Sequence, residues 1–326
     1  MEQILLVTFP FFALVLCGYL AARHRMLPLE AIPGLNTFVL YFALPCMLFR
    51  FSAGTPIAKL LDVGAFAIYA ICALAMVALT VLTTRKGAVG WNDASFGALV
   101  AAFPNSGFMG MPLLVSLLGT RAAAPVMVPL AVDMVITSSL CIALSRVSTA
   151  DAGGARMAAM KALKSVMVNP LPWAIMLGGL SSATGFSLYQ PLMRVIEMLA
   201  DAGSPTALFT IGAVLARSQL AAKAQAAGGR EVGDVPQVVF FKLIVHPALV
   251  LGIGTLAIAA GLPLEPFTLT VLVLVAALPS ASNVPMLTER FGADTGRVAR
   301  VVLVTTACAF LTFSAAVAML VDQGGT

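Results

Sequence analysis

Ten apolar runs of about twenty residues follow one another along this chain, and no packing of them leaves a surface that water would tolerate. They fall at about 4–22, 31–51, 60–84, 94–118, 124–146, 166–185, 203–220, 237–261, 266–288 and 297–320. Only 10% of the 326 residues are charged, and mean hydropathy is +1.00, whereas a soluble domain is about 25% charged. Lipid has to cover what charge cannot. The runs are long and do not alternate, so they predict helices rather than barrel strands. The chain reads as an all-α polytopic membrane protein with ten transmembrane helices.

The loop charges fit that map. Fourteen of the nineteen Lys and Arg residues fall in the odd-numbered connections and three in the even-numbered ones, with Arg50 and Lys242 near or within spans. The positive-inside rule then places both termini outside, on the periplasmic side of a bacterial inner membrane. The N-terminal run is apolar before it becomes basic at Arg23, His24 and Arg25, which is the reverse of a secretory signal and reads as an uncleaved first helix. A net charge of +5 follows from these basic loops and implies no nucleic-acid partner. The five cysteines lie within apolar runs without metal-ligand spacing and read as free packing thiols. The sequence has no phosphate-binding Gly-x-x-x-x-Gly-Lys loop, no His-Glu-x-x-His motif and no cysteine cluster. It therefore predicts no cofactor, no metal and no enzyme activity, and any transport would be driven by a gradient.

The chain divides into a first five-helix unit (1–147), a basic loop (148–165) and a second five-helix unit (166–326). PFFALVLCGYL (10–20) matches PLPWAIMLGGL (170–180): each has proline, glycine eight residues later and leucine two further on. Five spans is an odd number, so the halves enter the membrane from opposite sides and the repeat is inverted. A second connection, 222–235, is also small, polar and Gly-containing. The segment 186–203 looks amphipathic and is expected to lie along the outer face ahead of the seventh span.

The fourth span carries FPNSGFMGMP and the ninth LPSASNVPML. A proline inside a span removes one backbone donor and frees a carbonyl four residues back, which hydrocarbon penalises unless another group takes it. Pro104 with Gly107, Gly110 and Pro112 predicts a helix that unwinds mid-membrane and restarts, as does Pro279 with Pro285. In an inverted repeat the two breaks meet and cross. Half-helix N-termini then face the crossing with partial positive charge. Asn105, Ser106, Ser280, Ser282 and Asn283 would supply neutral hydrogen-bonding groups there, and Gly107 would let the backbones approach. That environment suits a carboxylate without burying a full protein charge. The alternative is that the serines and asparagines only satisfy the carbonyls freed by the prolines.

NSGFMGMPLL and LPSASNVPMLTERFG resemble the two signature segments of the auxin efflux carrier family, which includes bacterial malate and malonate permeases. NPLPWAIMLGGL resembles its sixth span, and the likeness covers essentially the whole chain. The resemblance implies a fold with crossed fourth and ninth helices, like that of bile-acid symporters and sodium/proton antiporters. It also implies a fixed scaffold domain, a transport domain that moves elevator-fashion, and a homodimer. It makes Pro104 and Pro279 the crossover prolines and Asn105 and Asn283 the substrate-facing asparagines, although Ser280 stands where an asparagine follows the first proline.

Asp133 in VPLAVDMVITSSL is the clearest ionisable residue within a span. It could load and release a proton, or pair structurally with a basic group such as Arg300. Lys242 and His246 share a helix face. The lysine could snorkel to an interface, and the histidine could carry a proton or be structural. Asn36 and Pro45 predict a kink in the second span near the substrate path, and Arg50 closes that span as an interfacial anchor or a lure for anions. The expected function is secondary transport of a small mono- or dicarboxylate such as malonate or malate, by proton coupling or as a uniporter. The alternatives are a sodium-coupled symporter of the bile-acid type, whose carboxylate-rich ion site this crossover lacks, and a channel or sensor on the same scaffold.

Overall fold

The computed structural model describes residues 2–56, 62–85, 89–147, 168–225 and 233–321. The expected basic loop 148–165 and most of 222–235 lie outside the described residues. The described part is all-helical, in twelve stretches. They are α1 (Glu2–Arg23), α2 (Leu29–Ala53), α3 (Val63–Thr84), α4 (Trp91–Ala102), α5 (Ser106–Leu118), α6 (Thr120–Ser145), α7 (Pro170–Thr184), α8 (Gln190–Gln225), α9 (Val235–Ala259), α10 (Pro266–Ala276), α11 (Val284–Phe291) and α12 (Thr295–Val321). Seven of them, α1, α2, α3, α6, α8, α9 and α12, are long and apolar enough to cross a membrane. Large apolar side chains such as Leu82, Leu256 and Leu311 point outward from these helices, as lipid-facing surfaces require. The chain is a multi-pass membrane protein. The fourth and ninth apolar runs are absent from the seven because each is cut into two short helices, α4 with α5 and α10 with α11.

The segment 186–203 does not form a separate surface helix. From Gln190 onward it is the start of α8, which runs on through Pro205 for 36 residues. Its side contacts explain the continuity. Arg50 Nη1 pairs with Asp201 Oδ1 at 2.6 Å, and Gly203 lies against Ala43 of α2. Docking along α2 offsets the single hydrogen bond that a mid-helix proline removes.

One group of helices is α1, α2, α7 and α8. A methyl group at Gly18 would sit 1.9 Å from the Phe209 carbonyl oxygen, and one at Gly212 would sit 1.8 Å from that of Val15. Backbones of α1 and α8 therefore touch with no side chain between them, the close approach that small residues permit in lipid. Gly178 of α7 meets Phe49 of α2 in the same way. Gly18 and Gly178 are the two glycines that the 10–20 and 170–180 segments align.

The other group holds α3 to α6 and α9 to α12. Its ends are tied by Arg297, which is 1% exposed. The guanidinium donates to Asp234 Oδ1 (2.8 Å) just before α9 and to the Asp93 carbonyl (2.7 Å) in α4. Asp93 Oδ1 accepts from the Asp294 backbone N–H at 2.8 Å. Asn92 donates to the carbonyls of Phe291 and Gly292, both at 3.1 Å. The starts of α4, α9 and α12 and the end of α11 thus form one polar knot.

Candidate functional site at the helix crossing

Pro104 has no N–H, so the carbonyl of Val100 loses its helical donor. Ser280 from the other interrupted segment supplies one: its hydroxyl donates to the Val100 carbonyl at 2.7 Å. Beyond the prolines the two segments pair as a minimal antiparallel bridge between Pro104 and Ser280. The Asn105 N–H donates to the Pro279 carbonyl and the Ala281 N–H to that of Phe103, each at 2.9 Å. In α10 the helix would join the Ser280 N–H to the Ala276 carbonyl. Instead Ser280 N–H donates to Thr305 Oγ1 at 3.3 Å, and the Ala276 carbonyl accepts from Lys242 Nζ at 2.6 Å. Each opened backbone group named here therefore has a named partner, as a membrane interior demands.

The bridge also fixes a register. Its two hydrogen bonds exchange under a two-fold that carries Asn105 onto Ala281 and Phe103 onto Pro279. Aligning the prolines pairs Pro104 with Pro279; the bridge pairs it with Ser280, one residue further on. Ser106 and Ser282 exchange under this local two-fold, while Asn105 and Asn283 do not.

Among the described residues, three polar side chains at the crossing have no hydrogen-bond partner. Asn105 (3% exposed) ends its extended stretch directly before α5. Ser282 is buried, and half-buried Asn283 is the N-cap of α11. Ser106 is less free, since its hydroxyl lies 3.4 Å from the Pro104 carbonyl, and Ser280 is committed to Val100. Gly107 is buried in the first turn of α5. The first N–H groups of α5 and α11, which no helical carbonyl can reach, add positive potential at both restarts.

Behind the second interrupted segment lies a buried polar cluster. Asp133 Oδ2 accepts from Tyr69 (3.2 Å) and Oδ1 from Thr137 (2.9 Å). Arg300 is not among its partners. Lys242 is fully buried and does not reach an interface. Besides Ala276, its ammonium lies 3.4 Å from His246 Nδ1. The His246 ring sits 5.8 Å from that of Tyr69, and its Nε2 has no partner among the described residues. Asp133 opens a widened helical turn (Asp133–Thr137), and Lys242 lies in another (Phe241–Val245); such turns recur at functional sites. Tyr69, Thr137 and Thr305 escape a sequence reading because a lone hydroxyl in an apolar run gives no signal of its partner. Among the described residues no group of three or more His, Cys, Asp or Glu could hold a metal ion. A cavity of about 290 Å³ lined by Asp62, Arg121 and Glu265 lies at other helix ends and includes no crossing residue.

Residues 4–317 match the family described as membrane transport protein. A "Putative malonate transporter" of Rhizobium meliloti (strain 1021) is 29% identical over 314 residues, 94% of this chain and 92% of its own. An "Uncharacterized transporter YfdV" of Escherichia coli (strain K12) is 25% identical over 301 residues, 88% of each chain. "Auxin efflux carrier component 8" of Arabidopsis thaliana is 22% identical over 261 residues, 64% of this chain and 71% of its own.

Proposed function

Because the chain belongs to the membrane transport protein family, as its resemblance to the auxin efflux carriers implied, we propose that it is a secondary transporter of small organic anions. The family and these relatives are transporters rather than enzymes, so a small-molecule substrate and a membrane setting follow directly. The finer reading is a mono- or dicarboxylate, with malonate first because of the relative's name. One observation carries it: the paired breaks leave the amides of Asn105 and Asn283 without partners, beside two helix N-termini. Ser282, Ser106 and Gly107 complete that site. Ser280 serves it chiefly by holding Val100.

The reading includes ten spans in a five-plus-five inverted repeat, with α4–α5 and α10–α11 as the crossed helices. The matching seams of Gly18 on α8 and Gly178 on α2 support it, since a repeat relating α1 to α7 and α2 to α8 would generate both contacts. In this reading α1, α2, α7 and α8 are the scaffold and the remaining helices the transport domain, in a homodimer of a bacterial inner membrane with outside termini. Coupling to protons is assigned to Asp133 and His246, supported by their burial together with Lys242. Uptake of malonate and malate into proteoliposomes tests the site. Asn105→Ala and Asn283→Ala are each expected to abolish uptake while the protein remains folded and monodisperse; normal uptake in both variants would end the crossover reading.

A further inference from the structure

Asn36 lies on α2, buried, and its Nδ2 donates at 3.2 Å to the sulfur of Met286 on α11. Met286 stands three residues beyond Asn283, one turn along the same helix face. The contact joins the two helix groups. Ser52 of α2 likewise donates to Met127 of α6 at 3.3 Å, and Asn169, the N-cap of α7, to Met134 of α6 at 4.0 Å. Among the described residues, the side-chain hydrogen bonds between the groups all end on a thioether.

A thioether is a weak acceptor, so a buried amide donor is under-compensated there. A carboxylate accepts the same N–H in a charge-assisted bond about twice as strong as a neutral one. The methionine can also yield, because its unbranched side chain turns about three bonds. Asn283 and Met286 are i and i+3, with Cβ atoms about 5–6 Å apart, so the sulfur that Asn36 holds lies one helical turn from Asn283, and a short dicarboxylate is the class of anion that could address both places.

We propose that Asn36 is a specificity-determining residue that leaves Met286 to bind the second carboxylate of a dicarboxylate whose first is held at Asn105 and Asn283. The proposal rests on the crossover reading above. A monocarboxylate seated in the same place offers Asn36 nothing, so the residue separates the two substrate classes. It also makes a dicarboxylate span both helix groups at once.

The test is concentration-dependent uptake of malonate and of pyruvate by the full-length protein in proteoliposomes. Wild type is expected to prefer malonate. Asn36→Ala is expected to raise KM for malonate by about ten-fold or more, the loss of one hydrogen bond to a charged group, and to leave that for pyruvate unchanged. Met286→Leu keeps the volume and removes the sulfur, so it is expected to lower KM for malonate. A purely structural Asn36–Met286 link predicts that both variants weaken handling of both substrates. Equal changes for the two substrates in Asn36→Ala, no change in either, a raised malonate KM in Met286→Leu, or no malonate preference in wild type would each overturn the proposal. Should Asn36→Ala fail to fold, the Met286→Leu result decides alone. Asn105→Ala, run in parallel, separates the two readings. Loss of both substrates there upholds the crossover site whatever Asn36 does, and retention of both there and in Asn283→Ala removes that site and this proposal together.

Discussion

The hydroxyl of Ser280 donates to the carbonyl of Val100, the group that Pro104 deprives of its helical donor. A break in one interrupted helix is thus closed by a side chain from the other. Ser280→Ala should cost about 1–2 kcal/mol, because a buried carbonyl loses its partner and no water replaces it. The expected result is a lower unfolding temperature in detergent with little change in substrate KM. A KM effect without a stability effect would make Ser280 a substrate ligand instead.

Lys242 acts on the second break as Ser280 acts on the first. Its ammonium binds the last carbonyl of α10, where the helix dipole is negative. Lys242→Met should leave Ala276 unsatisfied and Asp133 without a nearby positive charge, and destabilise the protein by about 3 kcal/mol or more. Thermal unfolding of the purified variant checks this. A variant as stable as wild type would show that the α10 terminus does not need the lysine.

Asp133 is faced by Tyr69 from α3, Cys141 and Thr137 from its own helix, and Lys242 from α9, with His246 on the far side of the contact as a partner of Lys242. If it carries the coupled proton, wild-type uptake varies with pH and Asp133→Asn flattens that dependence, because an amide cannot take up or release the proton. Initial rates across a pH series, with the variant's melting temperature as control, check the expectation. Parallel pH profiles would take Asp133 out of coupling.

Arg297 should be intolerant of replacement. Its fork meets the Asp234 carboxylate on two sides and its third nitrogen meets the Asp93 carbonyl. Arg297→Ala leaves the half-buried Asp234 carboxylate and the Asp93 carbonyl uncompensated, a loss of about 3 kcal/mol, and Arg297→Lys cannot restore the planar fork. Gly97→Ala should mimic it, since the added methyl would lie 2.5 Å from Nη2 of the guanidinium. Poor yield and early unfolding of all three variants are the expected readouts.

Prolines and glycines made the two helix breaks legible in advance, because their effect on a helix is local and independent of neighbours. The register of the crossing was not legible. The bridge pairs Pro104 with Ser280 rather than with Pro279, because pairing follows the N–H groups of Asn105 and Ala281 rather than the residues that lack one. The burial of Lys242 was hidden for a related reason. A lysine within an apolar run snorkels or is buried according to whether an opened carbonyl lies within its reach, and Ala276 belongs to a different helix. The continuity of α8 through Pro205 depends on Arg50 and Ala43, both about 150 residues earlier in the chain.

The contact of α1 with α8 has a practical consequence for measuring motion. With Gly18 against Phe209 and Gly212 against Val15, the two helices have no side-chain layer in which to slip. They form a single double-width beam. Spin labels or fluorophores on their outer ends would therefore keep one separation through a transport cycle, giving an internal ruler. Distances from that ruler to labels on α5 or α11 would then show whether the crossing is displaced at all.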